Sequence, residues 1–172
     1  MVTFRLTDSF PQSMLAVWRD EFAHLPEQAA KAERYRRIEA YVDKGTGEAW
    51  LRDRRIAHLV QDSMLHFDGA RYRLHAWVVM PNHVHALLTP LPGYALASIV
   101  HSWKSYTSNR ANRLLRRRGE FWHREFYDRY IRDERHYTAA KVYIEGNPAR
   151  ARLCTTNEDW TFSSAAYRHR HQ

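Results

Sequence analysis

The stretch His75-Ala-Trp-Val-Val-Met-Pro-Asn-His-Val-His-Ala-Leu-Leu-Thr89 decides the fold, because it predicts a β-hairpin. Both flanks are rich in β-branched, aromatic and apolar residues, and Pro81-Asn82 supplies the turn between them. In a strand, residues i and i+2 point to the same face, so the imidazoles of His83 and His85 project together. Two neutral imidazoles side by side can bind a divalent metal, and the alternative is a hydrogen-bonded histidine pair on a sheet face. Two polar groups at the rim of an apolar strand favour the metal.

Strands and helices are interspersed along the rest of the chain. Val2, Phe4 and Leu6 alternate with polar residues and predict a first strand. Apolar periodicity predicts helices after Pro11, over about 27–43, over 56–64 and after the break at 90–93, and a strand near 127–131. A last helix is predicted over about 134–145, closed by Gly146 and Pro148. This order predicts one α/β (α+β) domain over residues 1–172, a mostly antiparallel sheet with helices on its faces, and leaves disorder open for the tail, about 165–172.

The composition points to a basic protein of the cell interior. The 172 residues include 27 Lys and Arg against 19 Asp and Glu, which gives a net charge of +8 at pH 7. Such a charge favours polyanionic partners, nucleic acid first and an acidic membrane surface second. The single cysteine, Cys154, excludes an intramolecular disulfide and fits a reducing compartment. No apolar run approaches the roughly 20 residues that span a bilayer, so we expect a cytoplasmic protein with no membrane partner.

Tyr143 and Asn147 are candidates for the rest of a reactive site. They are four residues apart and share one face of the last helix if that helix reaches Asn147. Asn147 can supply an oxygen ligand to a metal, and Tyr143 a phenol that attacks phosphorus. The alternatives are a half-buried helix tyrosine and a polar residue at a helix end. Pro148 disfavours the α conformation for the preceding residue, in which case Asn147 would reach the site from a cap position.

Cationic and aromatic residues in the second half of the chain are candidate DNA contacts, because arginine and lysine neutralise phosphates and aromatic rings stack on bases. The alternatives are a solvated charged face for the arginine run and burial in the core for Trp122. The predicted DNA-binding residues are Lys104, Arg110, Arg113, Arg116, Arg117, Arg118, Trp122, His123, Arg124, Arg150 and Arg152.

Three stretches carry a resemblance to a known family. Met80-Pro-Asn-His-Val-His85 resembles the His-hydrophobe-His signature of single-tyrosine transposases. Phe121-Trp-His-Arg-Glu-Phe-Tyr-Asp-Arg129 and Tyr143-Ile-Glu-Gly-Asn-Pro148 are similar to the branch associated with repetitive extragenic palindromes, the REP-associated tyrosine transposases. The resemblance covers most of the chain.

This resemblance implies a ferredoxin-like sheet, with Mg²⁺ or Mn²⁺ held by His83, His85 and Asn147 and with Tyr143 as the nucleophile. It implies cleavage of single-stranded DNA next to an imperfect hairpin, through a 5′-phosphotyrosine and a free 3′-OH. It further implies a monomer that works on palindrome hairpins at the bacterial nucleoid. Two other functions stay open: a non-catalytic module that binds hairpin DNA or RNA, and a metal-dependent phosphodiesterase that uses water.

Overall fold

A four-stranded antiparallel sheet lies between two helical layers. The computed structural model describes residues 1–11 and 13–170. The strands are β1 (Val2–Arg5), β2 (Tyr72–Val79), β3 (His83–Pro90) and β4 (Tyr127–Asp128), in the spatial order β2-β3-β1-β4. The helices are α1 (Ser13–Glu21), α2 (Glu27–Val42), α3 (Arg54–Leu65), α4 (Leu96–Leu114), α5 (Glu134–Arg150) and α6 (Ser164–Arg170). This strand order, with the β2-β3 hairpin between two helical crossovers, is ferredoxin-like, so the predicted fold class is confirmed.

The predicted hairpin is present and lies inside the sheet. Across its turn, the backbone N–H of Met80 donates to the carbonyl oxygen of His83 at 2.8 Å. On its other side β3 pairs with β1, where Thr3 lies opposite His85 and Arg5 opposite His83. Because β3 has a strand on each side, both histidines sit in the middle of the sheet and are almost fully buried.

The two faces of the sheet pack against different helices. Along β3, Val84, Ala86 and Leu88 point to one face, which α3 and α4 cover. The helical residues buried there recur at helical spacing; they are Ile56, Val60, Met64, Ile99, Val100 and Trp103.

The opposite face carries His83, His85 and Leu87 and packs against α5. Ala140 and Ile144 of α5 contact Leu87 and its neighbours on β2. The small side chain of Ala140 lets the helix come close to the sheet, which brings the following turns of α5 next to the histidines.

The helices α1 and α2 have a small core of their own, formed by Phe10, Trp18, Phe22, Ala30 and Val42. The hairpin turn holds the end of α2 in place, because the side-chain amide of Asn82 donates to the carbonyl oxygens of Val42 (3.0 Å) and Thr46 (2.8 Å). These bonds bring the residue after Val42, Asp43, beside the first residue of β3.

Helix α5 is longer than the sequence predicts. It starts at the predicted N-cap, where the Asp133 carboxylate accepts from the N–H of His136 at 2.7 Å, but it continues through Gly146 and Pro148 to Arg150. Pro148 cannot donate to Ile144, yet Ile144, Asn147 and Pro148 are all buried, and we attribute the continuation to this packing. Tyr143 and Asn147 therefore lie one helical turn apart.

The tail is helical as far as the structure describes it. Ala165 and Ala166 of α6 are buried, and the ring of Tyr167 lies 5.4 Å from that of Trp77 on β2. Residues 165–170 thus belong to a helix that packs at the sheet edge, and the rest of the tail, 171–172, lies outside the described residues. Disorder of the tail stays a prediction. No helix in the described part of the chain is long and apolar enough to cross a membrane.

Candidate active site

The two imidazoles on β3 converge on one point. Their Nε2 atoms are 3.0 Å apart. The Nδ1–H of His83 donates to the Asn82 side-chain oxygen at 2.8 Å, because the Asn82 amide nitrogen is already used as a donor. The Nε2 of neutral His83 then carries a lone pair. The Nδ1 of His85 is 2.8 Å from the Thr3 hydroxyl, which can donate to it while the Nε2–H of His85 donates to His83. In the other tautomer His85 donates to Thr3, and its Nε2 lone pair then faces the same point, as metal binding requires. Burial lowers the pKa of His85 well below its ordinary value, which favours the neutral, metal-binding form.

Asp43 completes a three-residue cluster that could hold a cation. Its Oδ1 lies 3.3 Å from the Nε2 of His83, and the candidate ligand atoms of Asp43, His83 and His85 all lie within 4.8 Å of one another. Asp43 is not among the site residues predicted from the sequence. Its only signal there is its position at the predicted end of α2, and tertiary hydrogen bonds from the hairpin turn bring it to the site.

A second carboxylate stands one helical turn before Asp43. The Oε1 of Glu39 lies 4.0 Å from the Nδ1 of His85. This oxygen and the Oδ1 of Asp43 are buried and have no hydrogen-bond partner in the described part of the chain. Burial raises the pKa of Glu39, and the Asp43 carboxylate adds to the rise. Because a buried carboxylate oxygen without a hydrogen bond is costly, a bound cation would stabilise this arrangement. Imidazole nitrogens with carboxylate oxygens suit Mn²⁺ or Zn²⁺, and Mg²⁺ where substrate oxygens complete the shell.

Tyr143 on α5 lies against this cluster. Its ring centroid is 5.4 Å from that of His85, with the planes at 74°. Burial raises the pKa of the Tyr143 phenol, and the Glu39 and Asp43 carboxylates raise it further. The guanidinium of Arg150 lies 4.4 Å from the Tyr143 ring centroid and acts in the opposite direction. The phenol is therefore neutral, and its activation requires that positive charge offset the two carboxylates.

Asn147 is buried one turn beyond Tyr143. Its side-chain Nδ2 has no hydrogen-bond partner among the described residues. Since the two ends of an amide side chain can exchange by a flip, the unsatisfied atom can equally be the oxygen that a metal requires. Its role as a ligand stays a prediction.

Lys104 and Trp122, which are predicted DNA contacts, make hydrogen bonds inside the protein. The Lys104 ammonium donates to the carbonyl oxygens of His123 (2.9 Å) and Arg124 (2.7 Å), so it ties the loop before β4 to α4. The Trp122 ring is buried, stands edge-on to Phe4 at 4.9 Å, and donates to the Thr107 hydroxyl at 2.9 Å. Both side chains thus make hydrogen bonds within the protein, and the DNA contacts of Lys104 and Trp122 stay predictions.

The remaining predicted DNA contacts fall into two groups. The first group lies on α4 and just after it. Arg117 donates to Asn112 and to the Glu120 carbonyl oxygen. The other arginines of this run are exposed; they are Arg110, Arg113, Arg116 and Arg118. This group belongs to the helix on the sheet face opposite the histidines. The second group lies on the side of the cluster: His123 lines the same cavity as His83, Arg124 lines an adjoining cavity, and Arg150 covers Tyr143. Exposed Arg152 follows α5. The DNA contacts of Arg110, Arg113, Arg116, Arg117, Arg118, His123, Arg124, Arg150 and Arg152 stay predictions.

A sequence model of the family described as "Transposase IS200 like" matches residues 54–147, more than half of the chain. This chain belongs to the IS200-like transposase family. The matched segment of this transposase-family chain contains both histidines, Tyr143 and Asn147, whereas Glu39 and Asp43 lie before it.

Among solved structures, the chain is similar to a REP-associated tyrosine transposase bound to a REP hairpin. The TM-score is 0.59 at 17% sequence identity, over 96% of this chain and 75% of that one. At this identity the likeness shows a shared fold. A search of curated proteins finds no match.

Proposed function

We propose that this IS200-like transposase is a metal-dependent endonuclease and strand transferase for single-stranded DNA, with Tyr143 as its nucleophile. The observation that supports this most is the position of the Tyr143 ring, 5.4 Å from His85 and beside the Asp43, His83 and His85 cluster. A nucleophile and a candidate cation site on neighbouring elements are the two parts that this chemistry needs.

In the proposed reaction the Tyr143 oxygen attacks the scissile phosphorus, and the bond from phosphorus to the 3′ oxygen breaks. The phenol loses its proton, the leaving 3′ oxygen gains one, and the 5′ phosphate remains on the tyrosine. One phosphate ester replaces another, so rejoining a strand needs no nucleotide cofactor. The Arg150 guanidinium beside the ring favours the phenolate and can also face the phosphate.

The metal would be Mg²⁺ or Mn²⁺, held by Asp43, His83 and His85 with Asn147 as a further ligand. When bound, it would supply positive charge against the carboxylates and the non-bridging phosphate oxygens. The buried, unpaired oxygens of Glu39 and Asp43 support such a cation.

The proposed substrate is single-stranded DNA that carries an imperfect hairpin of the palindrome type. The net charge of +8 supports a nucleic acid, and the similar solved structure is described as bound to a REP hairpin. A monomeric state and a place at the bacterial nucleoid are further parts of the proposal and derive from the resemblance.

The test is covalent capture. The protein is incubated with hairpin DNA that carries single-stranded flanks and Mn²⁺, then denatured in SDS and examined for a protein–DNA adduct. We expect an adduct that Tyr143→Phe abolishes and that Tyr137→Phe retains. Tyr137 is a matched control, because it lies on α5 but contacts His75 instead of the cluster. Cleavage that survives Tyr143→Phe would indicate a phosphodiesterase that uses water. Binding without cleavage in the unaltered protein would indicate a binding module.

A further inference from the structure

A groove adjoins the candidate active site between α2 and the loop before β4. We call it the α2 groove and define it by Lys31, Arg34, Tyr35, Arg124 and Phe126. Two of these residues, Tyr35 and Phe126, also line the cavity that contains Asp43 and His83. The α2 groove therefore continues directly from the cation cluster. Only Arg124 among its residues was expected to contact DNA.

The cations of the α2 groove include one that lacks an acceptor. The Nε of Arg34 is buried and has no hydrogen-bond partner among the described residues. On the same helix, Arg36 and Arg37 both donate to Glu33, and Arg37 also donates to Glu21. An unsatisfied buried guanidinium N–H is costly, and a phosphate oxygen is a strong acceptor for it.

The aromatic residues of the α2 groove are arranged for stacking. The rings of Tyr35 and Tyr127 lie 4.1 Å apart with an angle of 31° between their planes, and this pair and Phe126 are only half-buried. Exposed ring faces bind unpaired bases, whereas the bases of a duplex are already stacked on each other. The carboxylates of Glu27 and Glu125 also line the groove and offset part of its charge, so binding there depends on stacking as well as on phosphates.

We infer that the α2 groove binds the single-stranded DNA that flanks the hairpin and leads it to the cation cluster. In this assignment Arg34, Lys31 and Arg124 contact phosphates, and the Tyr35 and Phe126 rings stack on bases. The inference rests on the proposed function and deepens it, because it assigns the single-stranded part of the substrate to a surface apart from the arginine run on α4.

Binding is measured in the Tyr143→Phe background, where no covalent capture occurs. Fluorescence anisotropy compares a blunt hairpin with the same hairpin carrying randomised single-stranded flanks of about eight nucleotides, a typical site for one binding module. We expect the flanks to increase affinity. We expect Tyr35→Leu to weaken binding of the flanked hairpin about tenfold and Arg34→Gln about threefold. Neither should change binding of the blunt hairpin.

The matched control is Arg36→Gln, which removes the same charge from the same helix but from a guanidinium that is already paired with Glu33. It should leave both affinities unchanged, and thermal melts should show that all variants are folded. Flanks that add no affinity, or variants that weaken both hairpins equally, would overturn the inference. The adduct assay separates the two proposals. If no adduct forms while flank binding still depends on Arg34 and Tyr35, the tyrosine chemistry fails and the groove stands.

Discussion

At the scale of single residues, the site depends on charges that the protein alone leaves uncompensated. Glu39 and Asp43 place two carboxylates beside two imidazoles and a phenol, and one oxygen of each carboxylate is buried without a hydrogen bond to any described residue. A buried carboxylate oxygen without a hydrogen bond lowers the stability of the metal-free protein and increases the affinity of the site for a cation. The same carboxylates raise the pKa of Tyr143, so the cation that stabilises the fold would also favour the reactive phenolate.

Glu39 should give the metal-free protein a defined pH dependence. Its pKa is raised in the folded state by burial, from an ordinary value of 4.5. The folded protein then binds the proton more tightly than the unfolded chain. The stability from this group is complete below pH 4.5 and is lost as the pH rises through the folded pKa. Urea unfolding is measured in the presence of a chelator. Glu39→Gln should remove the decrease in the free energy of unfolding with rising pH, and it should raise that free energy at pH 7. Equal pH profiles for the two proteins would contradict the prediction.

At the scale of the elements, α5 and the end of α2 bring the reactive residues to the sheet. The hairpin, the direction of both imidazoles and the start of α5 at Asp133 could be predicted, because each depends on neighbouring residues in sequence. Asp43 and Glu39 could not, since the Asn82 amide joins parts of the chain about 40 positions apart. Local rules also misplace the end of α5: Gly146 and Pro148 signal a stop that buried packing overrides.

Substitution of Gly146 tests whether α5 is continuous, and substitution of Gly47 serves as the contrast. Gly146 has helical neighbours, and an added Cβ would lie 3.6 Å from Arg150 Nη1, an ordinary contact. Gly146→Ala should therefore raise the free energy of unfolding by up to about 1 kcal/mol. Gly47 is the contrasting site, because its φ is +85° and a Cβ would lie 2.8 Å from the Asp8 carbonyl oxygen. Gly47→Ala should destabilise the protein in the same urea titration. If Gly146→Ala also destabilised it, α5 would end before Asn147.

At the scale of the whole molecule, the candidate cation site brings together residues from elements that are far apart in the sequence. The histidines come from the sheet, Asp43 from the C-cap of α2, and Tyr143, the proposed nucleophile, from α5, on the side of the sheet away from α3 and α4. The two regions proposed to bind the polyanion lie on different faces: the exposed arginines of α4 and its C-terminal end on one face and the α2 groove on the other. The proposed substrate also has two parts, a paired hairpin and a single-stranded flank, and the flank is the part that we assign to the α2 groove.

Metal binding should therefore stabilise the entire fold. Mn²⁺ at about 100 times its Kd should add about 2.7 kcal/mol, which corresponds to a rise in Tm of roughly 5–10 °C for a protein of this size. Differential scanning fluorimetry should show that Asp43→Asn and His83→Ala greatly reduce the rise. Asp62→Asn, an exposed carboxylate on α3, is the matched control and should keep it. An undiminished shift in Asp43→Asn would place the metal elsewhere.

The Asn82 side chain links the orientation of His83 to the end of α2, since its oxygen accepts from the imidazole while its nitrogen holds Val42 and Thr46. Asp43, the proposed acidic ligand, is therefore carried by helices with a small core of their own. Asn82 holds this part of the chain through backbone carbonyls, which every residue type has. Evolution can exchange the acids on this part of the chain, and with them the preferred ion, without rebuilding the core between the sheet and its helices or the hairpin.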